Sequence, residues 1–475
     1  MRPGHAPRRR VMARRRFLAS AGLAAVGLLP RRGASAQEKS VPNFVFILTD
    51  DQRFDALGCA NPLVITPNMD AMAARGVRFA RAFVATSICS PSRACCLTGR
   101  YGRANGVPGL GMGLKPAERT FAQILKAAGY QTGYVGKWHL SRPADPSGAG
   151  FDFVTYFNSN GPHHDRKVIE RGQPKVAKGF IEDYLAGQAV EFLEAAAAAR
   201  KPFLLHLATQ IPHMDDKFDW PARPETLALY DEAKMPVPAN WRDDLSGKPP
   251  YLKAGRHRER GTLYGYGDAA GIRRHFRRYF AAVTDLDRAL GALLAALDRL
   301  GLRETTYIVH MGDNGWFMGE HGFTSKVLAY EESMRVPFLV SGPGLKGTVC
   351  DELILNADIA PTLLDLAGLP IPENMHGRSL VPLLKGQAEG WRKSVLYEAI
   401  KPELGSWPIL AVRTSRWKYI QTFKPPRPDT LAFEELYDLE NDPGEMRNLA
   451  AAAEHKAVLE DLKAQLASLV ERVKS

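Results

Sequence analysis

Two short polar clusters each follow an apolar run. "FVFIL" leads into Thr49-Asp50-Asp51, and "TTYIVHM" leads into Gly312-Asp313-Asn314-Gly315. Carboxylate and amide oxygens are hard donors. If the two runs are parallel strands ending on one edge, Asp50, Asp51, Asp313 and Asn314 would converge on a hard divalent cation, Ca²⁺ or Mg²⁺. Taken singly, two acids after a strand are more often a turn or a helix cap. A third stretch, "ICSPSRACCLTGR", holds Cys89, Cys95 and Cys96 in a chain with five cysteines. Adjacent Cys95 and Cys96 sit closer than disulfide geometry prefers. No second cysteine pair with histidines follows to complete a zinc site. An odd count leaves at least one thiol over unless one cysteine has become something else.

Those residues need a scaffold that brings distant positions to one edge, and the pattern of the chain supplies one. Phe44 to Leu48 is a short continuous apolar run of the kind buried on both faces of a parallel sheet. Similar runs recur at 131–138, 202–210, 305–313 and 336–342. Helical patterns lie between them at 118–130, 181–200 and 278–302. Strands alternating with helices predict an α/β fold with a mostly parallel, doubly wound sheet, which binds ligands at the carboxyl ends of its strands. Residues 214–272 break the rhythm with proline, glycine and tryptophan and are expected to shape a binding surface or wrap the core. Their basic run "RHRER", 256–260, reads as a solvated face. After about residue 370, strand-like "SVLYEAI", "ILAVRT" and "WKYIQT" and a helical tail from about 451 predict a smaller antiparallel sheet with a terminal helix. The division expected is residues 1–36, then 37–370, then 371–475.

The 475 residues carry a formal charge of +12. Nine arginines precede residue 37 with no acid among them, and without them 54 bases face 51 acids, a net of +3. A nucleic-acid partner is therefore not expected. The same arginine-rich stretch runs from a basic start through an apolar segment, Phe17 to Pro30, to Ala34-Ser35-Ala36. That order matches a cleavable secretory signal, and Arg14-Arg15 resembles a twin-arginine export motif. A periplasmic or secreted protein with no membrane span is expected, since no apolar run reaches the ~18 residues a spanning helix needs.

Cys89-Ser90-Pro91-Ser92-Arg93, followed by Leu97-Thr98-Gly99-Arg100, resembles the signature of the sulfatase family, in the alkaline phosphatase superfamily. In that signature the cysteine is oxidised to Cα-formylglycine by a dedicated modifying enzyme. The likeness continues in family order through "LTDDQR", "GYVGKWHL", "IPHMD", "GDNGWFMGEHG", "SKVLAYEESMRVPFLV" and "LYDLENDPGEMRNLA". It implies an alkaline-phosphatase-like α/β core, with Asp50, Asp51, Asp313, Asn314 and the modified Cys89 holding one divalent ion, usually Ca²⁺. Arg93 would support the formylglycine, and Lys137, His139, His213 and Lys326 would surround the sulfate. His139 is expected near residue 89, and His213 or Lys326 near the leaving group. Trp316, His321 and His163 are further candidates for touching substrate.

The activity so implied is hydrolysis of a sulfate ester. The segments "GDNGWFMGEHG" and "YEESMRVPF" look more like those of carbohydrate sulfatases than of simple arylsulfatases, which points to a sulfated sugar. Rival readings are an arylsulfatase, a phosphonate or phosphate monoester hydrolase of the same superfamily, and an inactive carbohydrate-binding homologue. Aryl sulfate against aryl phosphonate turnover separates the enzymes, and unmodified thiol at Cys89 without activity marks the last.

Overall fold

Residue types along the first strand already require two covered faces, and the computed structural model provides them. It describes residues 41–426 and 429–474, so the export-signal reading of residues 1–36 lies outside the described residues. In β1 (Asn43–Thr49) every position is buried. Val45 and Ile47 face a core built with the helices Ile181–Ala199 and Ala269–Arg299. Phe44, Phe46 and Leu48 face the opposite core, with the helices Cys89–Thr98, Phe121–Ala127 and Ile359–Leu366. Successive side chains of a strand point to opposite faces, so a continuous apolar run is what a sheet covered on both sides demands.

The main sheet continues with β2 (Gly76–Phe83), β3 (Gln131–Lys137), β4 (Phe153–Phe157), β5 (His164–Glu170), β6 (Gln173–Phe180), β7 (Phe203–Ala208) and β8 (Thr306–Gly312). A two-stranded ribbon, β9 (Phe317–Met318) with β10 (Thr324–Ser325), follows, and β11 (Phe338–Ser341) and β12 (Thr348–Leu355) complete the sheet. Its ten strands run in the order β12-β2-β11-β8-β1-β7-β3-β4-β5-β6. The central β8-β1-β7-β3-β4 block is parallel, β11 is antiparallel to both neighbours, and β5 and β6 form an antiparallel hairpin at one end. The chain thus has a mixed, mostly parallel sheet flanked by helices.

The 31-residue helix Ala269–Arg299 begins earlier than the apolar pattern from 278 suggests. Asp268 caps it, accepting from the Gly271 amide at 2.7 Å, and Ile272 and Phe276 extend the buried stripe at helical spacing among four arginines. Within 214–272 the chain is mostly turns and short helical pieces, but Arg256–Leu263 forms a helix, so the "RHRER" run is not a plain solvated face. His257 is buried there and shares a 2.8 Å hydrogen bond with the Lys326 carbonyl, while Arg258 donates to the Asp243 and His321 carbonyls.

β13 (Ser394–Ala399), β14 (Ile409–Thr414), β15 (Trp417–Phe423) and β16 (Leu431–Asp438) form a separate antiparallel sheet in sequence order. Helix Lys456–Arg472 covers it through Leu459, Leu462 and Leu466, spaced three and four apart on one face. Among the described residues no helix is long and apolar enough to cross a membrane.

Candidate active site and cation centre

Register decides which residues meet. Leu48 pairs with Ala208, Thr49 with Gly312 and Gly136 with Ala208, so the carboxyl ends of β1, β7, β8 and β3 lie level. Asp50-Asp51, Asp313-Asn314, Lys137 and the loop to His213 all leave from this edge. Gly136 (φ 119°) permits the close approach of β7, because a Cβ there would stand 1.8 Å from the Ala208 carbonyl oxygen. Just beyond the strand ends, Asp51 and His139 both hold φ 62°, a left-handed conformation that costs energy in a non-glycine residue and concentrates at functional sites.

Asp50, Asp51 and Cys89 each offer a ligand atom, all within 4.8 Å of one another. The Asp51 amide donates to Asp313 Oδ1 at 3.1 Å, and Asn314 Nδ2 donates to Asp51 Oδ1 at 2.6 Å. Three acceptors nearby, Asp51 Oδ2, Asp313 Oδ2 and Asn314 Oδ1, are buried without a hydrogen-bond donor. Each such atom costs about 1–3 kcal/mol. Arg93 Nη2 stands 2.8 Å from Asp313 Oδ2, but off the line of an N–H bond, so that contact is an ion pair only. A hard cation fits this donor set, because it would engage the orphaned oxygens that no N–H reaches.

The charges support the same fit. Lys137 pairs with Asp50 and donates to Asn160 Oδ1 at 2.5 Å. Lys326 pairs with Asp51 and reaches Cys89 Sγ at 3.0 Å, and Arg93 donates to the Lys137 carbonyl at 2.9 Å. Burial pushes the Asp50 carboxyl up, but the fixed charges of Lys137, Arg93 and Lys326 outweigh it and hold it well below the usual range. Burial and then the neighbouring Asp50 push Asp313 up to about 7, and burial also raises Asp51. The cluster therefore resists full ionisation by its own bases alone. With three carboxylates against three fixed cations, a bound divalent ion would leave the site with a surplus of about two positive charges, suited to an anionic substrate.

Cys89 opens the helix Cys89–Thr98, which ends on Gly99 at φ 68°. Proline at 91 falls in the first turn, where its missing N–H removes no helical bond. Burial pushes the Cys89 thiol up to about 11 despite Lys137 and Lys326. As plain cysteine it stays protonated near neutrality and is a poor nucleophile. Cys95 and Cys96 are buried in the apolar cores, and no cysteine among the described residues forms a disulfide.

Beside Cys89 lies a cavity of about 160 Å³ reached by His139, His213, Asn160, Trp316 and Lys326. The His213 Nδ1–H donates to the Met214 carbonyl at 2.7 Å, which leaves Nε2 to accept from Asn160 Nδ2 at 2.9 Å, with Asp51 Oδ2 3.4 Å away. Burial lowers the His213 pKa to about 3, and burial with Lys137 and Arg93 lowers that of His139 to about 2, so both rings are neutral. Trp316 lies against His213, ring centres 6.1 Å apart, with the Lys326 ammonium 5.7 Å from its ring.

Two of the residues picked from sequence fall elsewhere. His321 does not line the cavity: it is fully buried, Nδ1 bonded to Asp243 at 2.7 Å and Nε2 to Asn240 at 3.2 Å. His163 is also buried, and its Nε2 lies 3.0 Å from the His213 carbonyl, so it backs the His213 loop instead of facing the cavity. Both rings satisfy the polar groups of packed loops, which a histidine in a polar stretch does as readily as it binds ligand. The sequence does not single out the cavity residues Asn160, whose "NSNG" reads as an ordinary turn, and Arg260, which sits in a charged run.

The family described as Sulfatase matches residues 42–369, and N-sulphoglucosamine sulphohydrolase, C-terminal, matches residues 319–472. An N-acetylglucosamine-6-O-sulfatase of Bacteroides thetaiotaomicron is 30% identical, over 91% of this chain and 87% of its own length. An ulvan-active sulfatase of Formosa agariphila is 31% identical, over 90% of this chain and 81% of its own length. A protein solved in complex with its substrate D-glucosamine-2-N,6-O-disulfate superimposes with a TM-score of 0.83 at 29% identity, covering 91% of this chain and 98% of that one. With this breadth of match over the fold and the acid-lined edge, the chain belongs to the sulfatase family and is a sulfuric ester hydrolase.

Proposed function

We propose that this enzyme hydrolyses the sulfate ester of a sulfated sugar, with residue 89 as the nucleophile after conversion of Cys89 to formylglycine by a modifying enzyme. The observation that carries the reading is the position of Cys89, on a helix N-terminus and in contact with Lys326, beside three buried carboxylates and the orphaned oxygens of Asp51, Asp313 and Asn314. Relatives support the substrate class: one acts on N-acetylglucosamine 6-O-sulfate by its name, one on ulvan, and a solved relative holds a glucosamine disulfate. A divalent ion, Ca²⁺ or Mg²⁺, held by Asp50, Asp51, Asp313 and Asn314, would supply Lewis-acid polarisation of a sulfate oxygen. Formylglycine would supply, as its hydrate, a hydroxyl able to attack sulfur where a buried thiol cannot.

The remaining work falls to side chains already in place. Lys137 and Lys326 stand beside residue 89 and the acids, where charge develops on the non-bridging oxygens, and Arg93 locks the Lys137 carbonyl and Asp313. His139 serves residue 89 as base. His213 presents an unprotonated Nε2 held by Asn160. An anionic sulfate beside it raises its proton affinity, so the ring can take a proton from solvent as substrate binds and donate it to the departing alkoxide oxygen. Trp316 closes one side of the cavity. Catalysis is assigned to residues 37–370 with 371–475 as a smaller subdomain, and the amino-terminal signal directs the protein to the periplasm or beyond.

Sulfate release from glucosamine 6-O-sulfate, run beside aryl sulfate and aryl phosphonate esters, tests the reading. Turnover of the sugar above both aryl esters is expected. Dominant phosphonate turnover, or aryl sulfate cleavage with every sulfated sugar inert, would overturn it.

A further inference from the structure

The same cavity contains one cation with no partner in the catalytic cluster. Arg260, on the helix Arg256–Leu263, lines the cavity with Cys89. Among the described residues no carboxylate lies within ion-pair distance of it, whereas Arg93, Lys137 and Lys326 are each paired. Its guanidinium rests over two rings instead, 5.0 Å from the centre of Phe218 and 5.8 Å from that of Tyr264. Both rings also line the cavity, 6.4 Å apart. Phe218 is 55% exposed and holds φ 62°. A large aromatic ring kept in water on a left-handed backbone costs free energy twice over, in hydration and in strain. The ring is not in the core, and the contacts it makes with Arg260 and Tyr264 lie in the cavity wall.

We infer that Arg260, seated on Phe218 and Tyr264, binds a second anionic group of the substrate, a sulfo or carboxylate substituent apart from the ester being cleaved. A guanidinium with no carboxylate partner is a fork for just such planar or tetrahedral oxyanions. The flanking rings offer an apolar face for a sugar ring. The site is thereby divided by charge. The acid-paired lysines and cation centre take the scissile sulfate, and the aromatic-backed arginine in the same cavity wall takes the second anion. The inference rests on the sulfated-sugar reading above and narrows it to doubly anionic sugars.

The test is kcat/KM of the modified full-length enzyme on glucosamine 6-O-sulfate and on glucosamine 2-N,6-O-disulfate, for wild type, Arg260→Lys and Arg260→Met. Wild type should prefer the disulfate by roughly ten- to a hundredfold, the value of a charge-assisted hydrogen bond that only this sugar can make. Arg260→Met should collapse that preference mainly through KM, and Arg260→Lys, which keeps the charge without the fork, should fall between. Equal losses on both sugars would assign Arg260 a structural role, and a wild type that prefers neither the disulfate nor a uronate-bearing 6-O-sulfate disaccharide over the monosulfate would also refute the inference. A wild type inert on both sugars but active on aryl phosphonates would instead refute the sulfated-sugar reading. A panel in which a uronate-bearing 6-O-sulfate disaccharide shows the Arg260-dependent preference and the disulfate does not would name the carboxylate as the second anion.

Discussion

Removing the divalent ion should unfold this enzyme at a lower temperature, by an amount the site allows one to work out. Asp51 Oδ2, Asp313 Oδ2 and Asn314 Oδ1 are buried acceptors without donors, each costing about 1–3 kcal/mol when nothing engages it. An ion present at a thousand times its dissociation constant stabilises the fold by about 4 kcal/mol. For an ordered body of roughly 430 residues the unfolding entropy is about 0.9 kcal/mol per kelvin, so the shift in Tm is about 4–5 °C. The assay is calorimetry of protein stripped with chelator and then titrated with Ca²⁺ or Mg²⁺, alongside Asp313→Ala. Wild type should gain those degrees and the variant should gain none. Two results would refute the reasoning: a wild-type Tm indifferent to both ions, or an equal gain in Asp313→Ala, which would locate the ion elsewhere.

Other consequences follow from individual contacts. Cys89→Ala should lose turnover entirely while Tm stays within a few degrees of wild type, since the residue is small and its neighbours are self-supporting; measurable sulfate release would contradict this. His213→Asn should lower kcat by about 10²–10⁴ with ion binding unchanged, as measured by steady-state kinetics and metal content. Glu182 accepts from the amides of Gln210 and Ile211 at 2.8 and 2.9 Å, so Glu182→Ala should cost about 2–4 kcal/mol in denaturant unfolding by leaving both buried donors unmet. Burial holds His257 at about 4 and His310 and His321 at about 3, below the ordinary 6.5. At these three rings the unfolded chain binds protons first, so their contribution to stability should be complete above pH 6.5 and be lost as the pH drops from 6.5 toward 3, opposite in sign to that of the buried Asp313, Glu182 and Glu332 carboxyls raised to about 7, 7 and 8. Denaturant midpoints measured across that window check the sign.

How far the chain can be read in advance depends on the kind of signal. The strands β1, β3, β7 and β8 are legible because burial on both faces demands unbroken apolar runs, and their shared direction brings Asp50 and Asp313 to one edge. β2 is not legible in the same way. Its "GVRFARAF" interleaves Arg78 and Arg81, whose side chains are only partly buried although the strand lies inside the sheet. The hairpin of β5 and β6 is largely exposed and polar, so its pattern resembles a loop. At the site, residues flanked by distinctive neighbours stand out, whereas Asn160 depends on a contact with His213, 53 positions away, and Arg260 on one with Phe218, about forty positions away. His321 shows the reverse case. Its motif suggests a ligand, but the Asp243 and Asn240 side chains that claim its two nitrogens lie about eighty positions away.

The proposed mechanism requires residue 89 to be a converted cysteine, and mass analysis of the peptide carrying Cys89 tests that directly. Fully active enzyme should show an aldehyde in place of the thiol at that position, with Cys95 and Cys96 in the same peptide unchanged. An intact thiol at Cys89 in a preparation with full sulfatase activity would contradict it.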